Sequence, residues 1–481
     1  MWNVIVVRNH VTVDGNSSLY FLSCPQLFFH EDTRAVCFSS MVKMVTVYAA
    51  CALLCFAPLL VVSDPPVLTQ PEQVHLSYPG VPGSMVVTWT TFNRTDSLVE
   101  YSPWGDILFH KSANGSVTPF VDSGNEKRKM FIHRVTLSDL KPGSHYVYHC
   151  GSDMGWSDMF WFRPIDETII QPAFALYGDL GNENPQSLAR LQKETQLGIL
   201  DAILHIGDFA YDMHDDNARV GDEFMRQIQS IAAYVPYMTC PGNHESAYNF
   251  SNYRNRFSMP GRTESLWYSW NVGPVHIISL STEVYFYLEF GQELLFRQYD
   301  WLKQDLEEAN RPENRAARPW IITMGHRPMY CSDDDQDDCT TFDSFVRRGR
   351  SDTTPAAPGL EDLFYLHGVD VELWAHEHTY ERLWPVYGDK VFNGSVAEPY
   401  TNPKAPVHII TGSAGCKEKT DRFNPNPKDW SAFRSTDYGY THMQVVNHTH
   451  LYLGQVSDDQ AGKTIDSIWI IKDKHGYDAW F

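Results

Sequence analysis
The chain has 481 residues, 43% hydrophobic and 14% aromatic, which excludes wholesale disorder and allows about two to four domains. Lys plus Arg total 38 against 59 Asp plus Glu, a formal charge of −21 that excludes a basic nucleic-acid binder. A single run approaches the length of a membrane span, so a multi-pass membrane protein is excluded.

That run, Val45 to Val62, follows Lys43 and ends at Val61-Val62-Ser63. A basic start, an apolar stretch broken by Pro58 and a small residue at its end describe a secretory signal over 41–63. The alternative is a single membrane anchor. Residues 1–40 precede two initiation-competent methionines, Met41 and Met44, and read as an alternative or non-native extension. Beyond the signal lie five Asn-x-Ser/Thr sequons, at Asn93, Asn114, Asn249, Asn393 and Asn447, which suit a glycoprotein in the secretory route. Five cysteines remain there: Cys150, Cys240, Cys331, Cys339 and Cys416. They lack zinc-site spacing; Cys331 and Cys339 bracket a short acidic loop and are expected to pair. The predicted compartment is secreted or a secretory or lysosomal lumen, with no stable membrane partner.

Residues 67–165 read as β. The runs His75–Tyr78, Met85–Trp89, His133–Leu137 and Tyr146–Tyr148 are separated by Pro-Gly turns at 79–80, 82–83 and 142–143. Short strands at regular spacing predict a small sandwich resembling a fibronectin type III module, with Trp89, Leu140 and Tyr146 in its core. From about 171 the pattern changes. Ala173–Tyr177, Ala202–Ile206, Val235–Thr239, Trp320–Met324 and Val369–Trp374 read as buried strands. Gln186–Leu200 and Glu293–Ala309 read as helices between them, which implies a layered α/β domain over 171–400. Val407–Ile410, Thr441–Val446 and Ile468–Ile471 add strands over 401–475. The acidic run 333–338 and the basic run Arg347-Arg348-Gly349-Arg350 are expected to be exposed loops.

Each of the five strand-like runs stops at a polar cluster. In order they are Gly178-Asp179-Leu180-Gly181, Gly207-Asp208-Phe209-Ala210-Tyr211, Gly242-Asn243-His244-Glu245, Gly325-His326-Arg327-Pro328 and Ala375-His376-Glu377-His378. In open α/β sheets functional groups gather at the carboxyl ends of strands, so these side chains converge although they are distant in sequence. Singly each cluster is a turn, a cap or a chance His pair. Five in this order are not.

This order of motifs resembles the purple acid phosphatases of the metallophosphoesterase superfamily, over about residues 67–475, and the text around them is closest to the animal acid phosphatase type 7 group. The resemblance implies a β-sandwich flanked by helices, carrying a dinuclear metal centre. It implies that Asp179, Tyr211 and His378 hold a ferric ion, that Asn243, His326 and His376 hold a divalent Zn, Fe or Mn, and that Asp208 bridges. The anionic oxygens suit the trivalent ion and the neutral donors the divalent one. Many other metallophosphoesterases have His where Gly181 stands, so Tyr211 is the discriminating residue. The implied reaction is direct attack of a metal-bound hydroxide on a phosphate monoester, with His244 beside the phosphate oxygens assisting proton transfer. Two departures stand out. Ala375 replaces the usual Gly, and Asp335 and Gln336 stand where plant-type members carry further histidines, so the leaving-group acid is unassigned. Glu381-Arg382 is expected to support the loop through an ion pair. The alternatives are a phosphodiesterase or pyrophosphatase on the same site, and a secreted binding module with a vestigial catalytic domain.

Overall fold
The computed structural model describes residues 66–481 apart from 107, 170, 335–338 and 340–343. The expected extension and signal lie outside these residues, as do Asp335 and Gln336. Among the described residues no helix is long and apolar enough to cross a membrane.

The N-terminal part is a sandwich. One sheet carries Glu72–Ser77, Met85–Thr91, Lys129–Leu137 and Ser116–Val121 in that spatial order; the other is built on Leu98–Pro103 and Tyr146–Ser152. Trp89, Leu140 and Tyr146 are buried between them, as the sequence predicts. The first strand is buried on nearly every residue rather than alternately. Its second face lies on the helix Asp215–Ala232, where Val74 N donates to Gln229 Oε1 at 2.8 Å. A buried polar seam continues that junction. Arg256, at 1% exposure, donates to Gln73 Oε1 at 2.9 Å and pairs with Asp222 Oδ1 at 2.9 Å, while Arg128 holds Asp222 Oδ2 at 2.6 Å. Sandwich and catalytic part are thereby bolted together by charges that have no water to fall back on.

The catalytic part is two sheets sharing one core with each other and with the flanking helices. The first sheet has three parallel strands, Tyr237–Cys240, Ala202–Ile206 and Ala173–Tyr177, extended antiparallel by Gly439–Val445, His450–Ser457 and Lys463–Ile471. The second runs Tyr268–Val272, Val275–Ser279, Trp320–Met324, Val371–Trp374, Val407–Thr411, Tyr380–Leu383 and Ser431–Ser435. Its four central strands, from Val275–Ser279 to Val407–Thr411, are parallel. The central strands are largely apolar because both faces are covered, with His205 and Thr323 as buried polar exceptions. The helix Glu293–Ala309 turns Leu295, Gln298, Leu302, Leu306 and Ala309 inward, the three-to-four spacing of one helical face.

The two expected exposed loops hold at Asp334 and Arg348 but fail at one residue each, and 335–338 lie outside the described residues. Asp333 is buried and accepts from Thr379 Oγ1 at 3.0 Å. Arg347 is buried over the Tyr330 ring and pairs with Glu361 at 3.0 Å and Asp389 at 2.6 Å. A run of like charges reads as solvated, but Glu361 and Asp389 neutralise Arg347, and a hydroxyl 46 positions away holds Asp333. Arg382 pairs with Asp466 at 2.7 Å, and its neighbour Glu381 instead accepts from Ser332 and Ser431. Cys331 and Cys339 form a disulfide; Cys150, Cys240 and Cys416 are free and buried.

Candidate metal centre
All five polar clusters stand at carboxyl ends of parallel strands, three from the first sheet and two from the second. The chain must turn sharply to aim them. Asp179, Asp208, Tyr211 and His376 have φ of 60°, 54°, 51° and 72°, left-handed values that non-glycine residues adopt only where the surroundings impose them.

One group of donors forms around Asp179. Tyr211 Oη lies 3.0 Å from Asp179 Oδ1 and 2.8 Å from His378 Nε2. His378 Nδ1 lies 3.0 Å from Lys419 O, an acceptor, so that nitrogen carries the proton and Nε2 turns a lone pair towards Tyr211 and Asp179. A second group forms around His326. Its Nδ1 donates to Ile206 O at 2.9 Å, and its Nε2 lies 3.1 Å from both Asp208 Oδ2 and Asn243 Oδ1. His376 Nδ1 is 3.2 Å from the same nitrogen. The donor atoms of Asp208, His326 and His376 all lie within 4.8 Å of one another. Thus all seven expected ligands come together in two adjoining sets, with Asp208 at the edge of the second.

The electrostatics are those of crowded carboxylates. Burial, with the Asp208 charge also contributing, pushes the Asp179 carboxyl up to about 7. Burial opposes ionisation of Asp208 as well, but the neighbouring imidazoles of His326, His244 and His376 hold it below the usual carboxylate range. Burial and both carboxylates raise the Tyr211 phenol well above its ordinary value. Hard anionic oxygens, imidazole nitrogens and an amide oxygen converge here, with the Arg327 guanidinium 2.9 Å from His376 Nε2; these are the donor chemistry of a site for two metal ions.

His244 stands beside this cluster. Its Nδ1 is 2.5 Å from Asp212 Oδ1 and its Nε2 is 3.9 Å from Asp208 Oδ2, with the ring 4.3 Å from that of Tyr211. Asp212 therefore fixes the proton on Nδ1 and aims Nε2 at the centre. Sequence reasoning missed Asp212, although its place next to Tyr211 was a signal. It also passed over Glu245, whose Oε2 accepts from Asp208 N at 3.0 Å and Gly242 N at 2.8 Å, and whose Oε1 accepts from Phe209 N at 2.9 Å. This buried carboxylate ties the Asp208 turn to the Asn243 turn. The segment 416–421 was missed for want of any motif. Lys417 Nζ donates to Tyr211 O, and Asp421 Oδ2 accepts from His378 N at 2.7 Å.

Two substitutions within the motifs have a steric reading. A Cβ on Gly181 would lie 2.9 Å from Glu183 O and 3.0 Å from Cys416 Cβ, so a side chain at this position is crowded by the 416 segment. A Cβ on Gly178 would lie 2.3 Å from Ala375 Cβ; Ala375 is accommodated because its neighbour is glycine.

Two sheets with their donors at the strand ends define a metallophosphoesterase. Residues 172–380 match the family model of the calcineurin-like phosphoesterases, residues 71–164 that of the purple acid phosphatase N-terminal domain, and residues 405–467 that of the iron/zinc purple acid phosphatase-like protein C. The chain is 71% identical to acid phosphatase type 7 of Danio rerio over 422 residues, covering 87% of this chain and 95% of that protein. It is 58% identical to the Homo sapiens acid phosphatase type 7, covering 84% and 92%. In fold it is similar to the purple acid phosphatase PPD1 of yellow lupin seeds, with a TM-score of 0.70 at 24% identity over 84% of this chain and 74% of that one. The chain belongs to the purple acid phosphatase family.

Proposed function
We propose that this phosphatase hydrolyses phosphate monoesters by direct in-line displacement at a dinuclear metal centre. The observation that carries the reading is the convergence of Asp179, Asp208, Tyr211, Asn243, His326, His376 and His378 with the tautomers of His326 and His378 set by backbone carbonyls. Asp179, Tyr211 and His378 would hold one ion, Asn243, His326 and His376 the other, and Asp208 both. The ions supply charge neutralisation for the phosphate and acidify water. Two carboxylates and a phenolate favour a ferric ion in the first set; the neutral donors of the second suit divalent Zn, Fe or Mn.

The remaining steps belong to the protein's own groups. His244 presents Nε2 to the phosphate oxygens, with Asp212 holding the ring and compensating a positive charge on it. Glu245 keeps the Asp208 and Asn243 turns in register, so the donors need no rearrangement as charge develops. The disulfide and the five sequons support a secretory or lysosomal lumen. Asn114 is exposed and free to carry a glycan. The test is hydrolysis of para-nitrophenyl phosphate against its bis-ester. Stripping the metals should abolish monoester turnover and readdition restore it. A faster diester rate, or turnover that survives stripping, refutes the reading.

A further inference from the structure
Away from the metal centre, a cleft of about 680 Å³ opens where the sandwich meets the catalytic part. That volume lies within the range of small-ligand sites, which favour such domain boundaries. Its sandwich wall is aromatic. Trp104 and Trp161 meet edge to face, 6.0 Å apart at 89°, and the His145 ring lies 5.7 Å from Trp161. Trp104 is 61% exposed, an unusual state for the largest apolar side chain. The opposite wall is the end of the helix Leu188–Gln196, presenting Gln196 and Leu197.

The floor is polar. A small adjoining cavity shares His145, Trp161 and Arg163 with the cleft and is lined further by Thr195 and Asp201. Arg163 Nη2 donates to Asp201 Oδ1 at 2.6 Å, one of five guanidinium donors. Thr195 Oγ1 is buried with no hydrogen-bond partner among the described residues.

Ligand classes can be decided by charge and polarity. A cation is opposed by Arg163. An anion is opposed by Asp201 and by the chain's net charge of −21. A wholly apolar ligand would desolvate Arg163. What fits is a neutral ring with an apolar face for the tryptophans and a rim of hydroxyls that both donate and accept. We propose that this cleft binds a pyranose ring of a glycan, stacked on Trp104 and hydrogen-bonded by Gln196 and Arg163. The assignment does not depend on the phosphatase reading.

The test is tryptophan fluorescence of the metal-loaded protein titrated with maltotriose, chitotriose and mannotriose up to about 10 mM, the range of weak single-site binding. At least one should give a saturable change. Trp104→Ala removes an exposed side chain and should weaken binding at least about tenfold, as should Gln196→Ala, both with hydrolysis of para-nitrophenyl phosphate unchanged. No saturable change with all three sugars, or binding equally strong in Trp104→Ala, overturns the proposal.

Discussion

Replacing Glu245 by Gln is a one-atom change with a large expected effect. The carboxylate is 3% exposed and accepts three backbone N–H groups: Asp208 and Gly242 on Oε2, Phe209 on Oε1. A glutamine with its oxygen in the Oε2 position keeps two acceptances, now without charge assistance. Its amide nitrogen then faces the Phe209 N–H, donor against donor. Burial pushes the Glu245 carboxyl up to about 8, so the charge-assisted figure applies above that pH: losing one such bond costs about 1.5–3 kcal/mol, and weakening the other two adds about 1 kcal/mol, for a total near 3 kcal/mol. The loosened Asp208 and Asn243 turns should lower metal affinity by about 10–100-fold. Urea unfolding of the metal-stripped protein reads the first effect, and metal retained against a graded chelator reads the second. Unchanged unfolding midpoint and unchanged metal retention would refute the claim that Glu245 organises the centre.

Three further predictions follow from particular contacts. Asp212→Asn should leave metal content intact yet slow turnover by about 10–100-fold, because the amide presents a hydrogen-bond partner without the charge that stabilises a protonated His244; parallel loss of metal would show a structural role instead. Arg256→Met should destabilise by about 3–5 kcal/mol in urea unfolding, since it strips Asp222 of one buried partner and removes a guanidinium donor from both Gln73 Oε1 and Asn252 Oδ1; a neutral effect would mean the seam contributes nothing. Burial lowers the His133 pKa to about 4, between Trp89, on which it stacks, and the hydroxyls of Thr91 and Ser97. Below pH 6.5 the unfolded chain takes up a proton there that the folded chain refuses, so stability is full above 6.5 and falls towards pH 4. Between pH 7.5 and 4.5 the loss from this residue is about 2.5 kcal/mol. His133→Gln should flatten the unfolding free energy against pH by that amount, and an unchanged slope would place the acid sensitivity elsewhere.

Much of the catalytic part was legible because its strands are apolar on both faces and stop at glycine. Ala173–Tyr177, Ala202–Ile206 and Trp320–Met324, like the helix Glu293–Ala309, have the bounds read from the sequence. The helix read as Gln186–Leu200 is shorter, Leu188–Gln196, because the chain turns out at Leu197 and Gly198. The strand read as Val235–Thr239 begins only at Tyr237, after Pro236. Ligand candidates were readable since each lies directly beyond a strand. Their supports were not. Asp421 meets His378 across 43 positions, and Glu245 meets Asp208 across 37. Local patterning is blind to such pairs. Arg347 shows the same limit in reverse: its neighbours Arg348 and Arg350 mark a solvated run, while Glu361 and Asp389 draw it into the core.

The central claim is that Tyr211 binds a ferric ion as one member of a two-metal centre. Its most direct test is the visible spectrum of the purified protein, recorded with metal analysis, for the wild type and Tyr211→Phe. The account predicts about two metal ions per chain, iron among them, and a visible charge-transfer band that disappears in Tyr211→Phe while the protein stays folded. A band that persists in Tyr211→Phe, or a folded wild-type protein that binds no iron, would contradict it.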